Sequence, residues 1–245
     1  MTIFRRRRRP DRRLEAAYAR LKQGVQGWAQ RKQDGEMRHT DKTYQAELTE
    51  LRHKLLLLGG LVEEAIDRSV RSLAERNVEL AQQVVEDDDR INRLEVETDE
   101  LCLRMLALRQ PAASDLRFIT LALKIVTDLE RMGDLAVNIA ERSISLAKEP
   151  PLAPYVDIPR MATIAERMLK ESLDAFVAGD AAQAWQVVEQ DNEVDELYHS
   201  IFRELVGFMT SDPETSTRAM SLLFIAKHLE RIADHTTNVA EMVIF

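Results

Sequence analysis

The chain has 245 residues, 45% apolar, 31% charged and 5% aromatic, with only 8 Gly and 7 Pro. That balance points to helices rather than sheets and is enough for one large or two small domains with real cores. The longest apolar run, "LLLLGGLV" at 55–62, is too short to span a bilayer, and the only cysteine, Cys102, excludes an internal disulfide and fits a reducing compartment, so a cytoplasmic protein is expected.

The net charge of −8 is unevenly spread. Residues 1–36 hold 11 Lys+Arg against 4 Asp+Glu, a net of +7, which leaves −15 on the rest. So acidic a body makes a poor nucleic-acid surface, and no nucleic-acid partner is expected of it. The opening "MTIFRRRRRPDRR" and the chain to residue 40 lack a sustained apolar stripe, which predicts a basic, disordered or weakly helical arm. Such an arm is either an electrostatic tether to membrane phosphates or an unstructured extension upstream of a start at Met37. A nucleic-acid-binding role for it predicts salt-sensitive binding lost on removing residues 1–36.

From residue 41 the pattern is helical. Leu48, Leu51, Leu55, Leu58, Val62, Ile66, Val70 and Leu73 recur at strides of three and four. Asn77 ends that helix and caps a second, which runs to about Leu108; Pro111 suits the first turn of a third, ending near Lys148. "EPPLAPYVDIP" then breaks the chain, so the first unit spans 41–149 and a Pro-rich linker 150–156. The second unit, 157–245, repeats the plan: a helix to Ala178, a "GD" turn with Asp180 as N-cap, a helix to about Thr210, and a last helix opened by Pro213. "QVVEDDDRINRL" at 83–94 returns as "QVVEQDNEVDEL" at 186–197, an offset of 103. The predicted architecture is all-α: two tandem three-helix bundles related by internal duplication.

The third and sixth helices pose the main question. "DLERMGDLAVNIAE" (128–141) and "HLERIADHTTNVAE" (228–241) place Glu130, Asp134, Asn138 and Glu141, then Glu230, Asp234, Asn238 and Glu241, at an offset of 100. Each set lies within roughly 80° of one helix face. Acids at i,i+4 repel by roughly 0.2–0.5 kcal/mol, and no lysine interrupts either stripe. One helix earlier stand Asp191 and Asp195, with His199 continuing the row, and in the first unit Asp88, Asn92, Glu95 and Asp99. If the faces converge they offer oxygen ligands for hard cations; a solvated face of an amphipathic helix has the same pattern. Catalysis has little support: Glu196 and His199 match the Glu-x-x-His spacing of di-iron bundles, but a Glu three residues from a His is common on exposed helices, and no Gly-rich phosphate loop or zinc set is present. A carboxylate-metal enzyme or metal-storage bundle is the alternative reading. His53 and His228 read as helix-surface residues, His235 points away from the Asp234 stripe, and Cys102 is core.

Four segments in order, "DDRINRLEVETDE", "LRQPAASDLR", "LERMGDLAVNIAE" and "HLERIADHTTNVAE", resemble the PhoU family of phosphate-transport regulators from about Tyr44 to the end. The resemblance implies two three-helix bundles in pseudo-two-fold relation, and a homodimer is expected. It also implies multinuclear metal sites (Mg, Mn, Fe or Zn) on Glu/Asp-x-x-x-Asp motifs, which fall here at Glu130/Asp134 and Glu230/Asp234, with Asp191/Asp195 on the preceding helix. The matching first-unit pair is Asp88/Asn92, where an amide replaces one carboxylate. The implied role is to restrain uptake by the Pst phosphate transporter and to silence the phosphate-starvation response through the transporter ATPase subunit and the phosphate-sensing histidine kinase. Membrane association is then expected only through these partners or the arm. "RQPAASDLR" offers Arg109, Asp115 and Arg117 either as partner contacts or as local helix caps.

Overall fold

The computed structural model describes residues 42–109, 111–152 and 157–245. The predicted arm and residues 153–156 of the predicted linker lie outside them. Among the described residues there are six α-helices, one 3-10 turn and no strands: α1 Lys42–Glu75, α2 Val78–Arg109, α3 Ala113–Leu146, α4 Asp157–Ala178, α5 Ala181–Ser211, the turn Pro213–Thr215, and α6 Ser216–Ile244. None is long and apolar enough to cross a membrane.

Both helical hairpins turn by the same device. Arg76 (φ 54°) and Gly179 (φ 69°) occupy the left-handed position that ends α1 and α4. The next residue in each case then caps the following helix. Asn77 Oδ1 accepts from Leu80 N at 3.0 Å, and Asp180 Oδ1 accepts from Ala182 N and Gln183 N at 2.9 and 3.1 Å. An arginine tolerates the left-handed position because its guanidinium is tied down, donating to the carbonyls of Leu146 and Ala147 at the end of α3.

Two helix starts differ from the sequence reading. Pro111 precedes α3 rather than opening it, with extended Ala112 at the N-cap. Pro213 opens a 3-10 turn, where Asp212 accepts from Glu214 N, before α6 begins at Ser216. A proline sets φ but not the hydrogen-bond register of the turn that follows.

α1, α2 and α3 pack on one another, as do α4, α5 and α6, and the two bundles join through α3 against α6 and α1 against α4. The outcome is a front layer in the order α2, α3, α6, α5 and a back layer of α1 and α4. The apolar stride of α1 is the core stripe: Leu51, Leu55, Leu58, Val62 and Ile66 are fully buried. Each such side chain stabilises by about 1.5–3 kcal/mol, more than an exposed ion pair contributes. At the back seam the Leu173 side chain of α4 packs onto the bare backbone of Gly59, where a Cβ would lie 2.1 Å from Leu173 Cδ1.

Candidate functional site: two carboxylate faces on the front layer

In the first unit the core stripe of α3 turns Ile125, Leu129, Met132, Ala136 and Ile139 inward, which leaves Glu130, Asp134 and Asn138 on the front beside α2. Asp88 of α2 is half-buried there. Its Oδ2 accepts from Asn92 Nδ2 at 2.9 Å, while Asp88 Oδ1 and Asn92 Oδ1 are buried without a hydrogen-bond partner. Burial pushes the Asp88 carboxyl up; the Asn92 amide opposes this, and the Asp134 charge adds to it. Glu130 is raised by burial first, then by Asp134, Glu95 and Asp88. Glu95 is raised by burial and by Asp99. One field therefore links the acids of α2 and α3. Asn138 turns its amide onto its own helix, donating to the Asp134 carbonyl at 2.7 Å.

The second unit repeats the arrangement on α5 and α6. Asp191 is pushed up to about 6, by burial first and then by Asp195, Asp234 and Glu230. Asp195, Asp234 and Asn238 are exposed. No lysine lies within the stripe, but Lys227, one turn before Glu230, donates to its carboxylate and lies 5.3 Å from the Tyr198 ring. The neutralising cation of this stripe sits at i−3, where it was countable.

The donors fit a hard cation in kind, being all oxygen, and two of them, Asp88 Oδ1 and Asn92 Oδ1, are buried acceptors lacking a donor. Among the described residues no three His, Cys, Asp or Glu side chains stand converged as ready ligands. Binding an ion would require these side chains to turn inward.

The seam between α3 and α6, behind the stripes, was not read from sequence. His235 Nδ1 meets Asp128 Oδ1 at 2.9 Å, with Asp128 only 6% exposed. Duplication by 100 residues makes His228 the counterpart of Asp128 and Leu135 the counterpart of His235. The matching half of the seam therefore lacks its polar partner. His228 is accordingly not a free surface residue: both ring nitrogens are buried without a hydrogen bond, and its pKa falls to about 4 through burial and then the charges of Arg142 and Arg231. His235 does point away from the Asp234 stripe, as expected, and Cys102 is fully buried. His53 and His199 are exposed.

The three proposed contact residues sit together near the α2–α3 turn. Arg109 binds Glu47 of α1 through Nε and Nη2 at 3.0 and 3.1 Å, and Asp115 accepts from the Tyr44 hydroxyl at 3.1 Å. Both tie the start of α1 to this turn, and Arg117 is exposed.

Fold and faces define a duplicated helical protein whose polar chemistry is laid out on surfaces rather than in an enclosed pocket. The PhoU domain family matches it twice, over residues 55–143 and 158–243. The chain belongs to the PhoU family. It is 50% identical to the "Phosphate-specific transport system accessory protein PhoU homolog" of Aquifex aeolicus over 76% of this chain and 84% of that protein. The Pseudomonas aeruginosa homologue is 44% identical over 84% of this chain and 86% of its own length. The crystal structure of PhoU from Pseudomonas aeruginosa superposes with a TM-score of 0.79 at 44% identity, covering 82% of this chain and 97% of that one. The phosphate transport system regulatory protein PhoU from Streptococcus pneumoniae superposes at 0.77 and 33% identity, over 82% and 95%. These relatives are named as accessory and regulatory proteins of phosphate transport, with no catalytic activity in their names.

Proposed function

We propose that this protein is a cytoplasmic regulator of phosphate homeostasis that restrains uptake by the Pst transporter and represses the phosphate-starvation response. It does so as a scaffold, a homodimer, between the transporter ATPase subunit and the phosphate-sensing histidine kinase. The observation that supports this most is the two-fold match to the PhoU domain, together with relatives named as accessory proteins of phosphate-specific transport. Linking transporter state to kinase state is a coupling free energy between surfaces and needs no bond chemistry. The layered fold suits that task, because the two front faces and the seam share α3 and α6.

Hard cations (Mg, Mn, Fe or Zn) belong to the same proposal. Glu130, Asp134, Asp88 and Asp99 would hold them in the first unit, and Glu230, Asp234, Asp191 and Asp195 in the second, with Asn138 and Asn238 alongside. A bound cation supplies positive charge that turns i,i+4 repulsion into coordination. The protein's own part is to hold the acids on rigid helices.

Deleting the gene should switch on phosphate-starvation genes in phosphate-rich medium. A variant with alanine at Glu130, Asp134, Glu230 and Asp234 should fold normally, carry less metal and restore repression poorly. Ordinary repression in the deletion strain, with no second copy of the gene, would overturn the regulatory reading. Full metal content in the quadruple variant would overturn the metal assignment alone.

A further inference from the structure

Duplication supplies an internal control, since a side chain that the fold requires should recur at the matched position. Four large apolar residues stand exposed at one end of the α5–α6 face, and all but Val206 fail that test. Phe202 (42% exposed), Val206 (39%), Met220 (43%) and Phe224 (43%) lie in the open. Their counterparts at offsets of 103 and 100 are Asp99, Leu103, Thr120 and Lys124, three of them polar. Packing therefore does not explain the patch.

The four share one surface. Tyr198 of α5 meets Lys227 of α6. Phe202 and Val206 follow Tyr198 by one and two turns, while Phe224 and Met220 precede Lys227 by one and two turns. The antiparallel pair thus carries both ridges onward together. Arg142 of α3 lies over the Phe224 ring at 4.3 Å and closes the far side. Beyond Tyr198 and Lys227 the same face becomes acidic, where Asp191 feels Asp195, Asp234 and Glu230.

We propose that this face is a docking site for an amphipathic helix of a partner protein. The helix would set two or three large apolar side chains on Phe202, Val206, Met220 and Phe224, and lysines or arginines toward Asp195 and Asp234. Contiguous exposed apolar surface beside polar residues marks association sites, and helix-on-helix docking reads anchors at three- and four-residue strides. Charge selects the occupant. The second unit carries 7 Lys+Arg against 16 Asp+Glu, a net of −9, so a second copy would bring like charges together while a basic helix is attracted.

The test uses a fluorescein-labelled synthetic amphipathic helix of leucine, phenylalanine and lysine, titrated into the full chain in chelator-treated buffer. Saturable binding should weaken at least tenfold in the Phe202→Ser/Met220→Ser variant, with its circular dichroism and melting unchanged. It should weaken likewise when the peptide lysines become glutamates or its sequence is scrambled. Binding indifferent to the double variant, or equal for the scrambled peptide, overturns the proposal. Sedimentation showing self-association that the double variant abolishes would assign the face to a second copy instead. A tenfold gain in peptide affinity on removing residues 1–36 would assign it to the chain's own arm; either result overturns the partner reading. These outcomes are independent of the deletion phenotype, so the docking face can fail while the regulatory role stands.

Discussion

Replacing Glu166 by glutamine removes a charge from the back seam while keeping the side chain's shape. Glu166 of α4 is pushed up to about 7 from an ordinary 4.5, by burial first and then by Asp67 and Glu63 of α1. In the unfolded chain the group titrates near the ordinary value, so between 4.5 and about 7 the native state binds more protons. Stability therefore falls as pH rises through that window, and the loss is complete above it. At about 1.36 kcal/mol per pH unit the gap sets a ceiling of about 3.4 kcal/mol. The side chain is only partly buried, and solvent screening lowers the expected effect to about 1–2 kcal/mol. Glu166→Gln should match the parent protein near pH 5 and exceed it near pH 8 by that amount, roughly 2–8 °C in melting temperature for a chain of this size. Urea titrations of both proteins across this range measure the difference directly. A difference independent of pH, or a glutamine variant less stable near pH 8, would refute the claim that the native fold holds this proton.

At the front seam, His228→Leu should stabilise by about 1–2 kcal/mol near neutral pH, because two buried nitrogens without partners are removed. Its folded pKa of about 4 lies below the ordinary 6.5, so the parent loses stability as pH falls through that interval, and the leucine variant should lose less; equal slopes in thermal melts would contradict this. Gly59→Ala should destabilise by about 1 kcal/mol net, because Leu173 must move its Cδ1 out of the methyl's place while alanine's helix propensity offsets part of that cost, and the penalty should vanish when the same substitution is made in a Leu173→Ala background. An unchanged melting curve would mean that the seam has room. Removing residues 1–36 should leave the melting temperature nearly unchanged, since the segment offers few apolar groups to bury; a drop of roughly ten degrees would show that it docks.

Much of the fold was legible because its signals are local. The α1 stride and the Asn77 and Asp180 caps are each read from neighbours within one or two helical turns, and the duplication is read by matching one such stretch to another. The stripe faces followed from the same period, since a helix that buries Leu129, Met132 and Ala136 must turn Glu130 and Asp134 elsewhere. The seam was not legible. Asp128 and His235 are 107 residues apart, and nothing near either residue announces that α3 and α6 run antiparallel at that register. His228 was misread for the same reason, as a histidine among arginines and acids looks solvated until a neighbouring helix covers it. Lys227 was readable, because a lysine three residues before a glutamate on a helix is a standard pairing position.

A chain built from two equivalent halves presents two equivalent surfaces unless the surfaces diverge. Here the core and the hairpin turns have stayed alike: Asn77 and Asp180 cap the same helix start, and Arg76 and Gly179 fill the same left-handed position. Divergence is concentrated where α3 and α6 meet and on the front. Asp128 faces His235, whereas the counterparts of that pair are His228, whose ring nitrogens are buried without a hydrogen bond, and the apolar Leu135. Asp195 stands where the first unit has Asn92, and Phe202 where it has Asp99. Substitutions at such places leave the packing of each bundle intact while giving the halves different charge and different apolar exposure. The exchange of Asp99 for Phe202 shows the principle at a single position. One solvent-facing site of the same helix is acidic in the first unit and aromatic in the second, so a partner that requires an apolar anchor can distinguish the units without any difference in backbone.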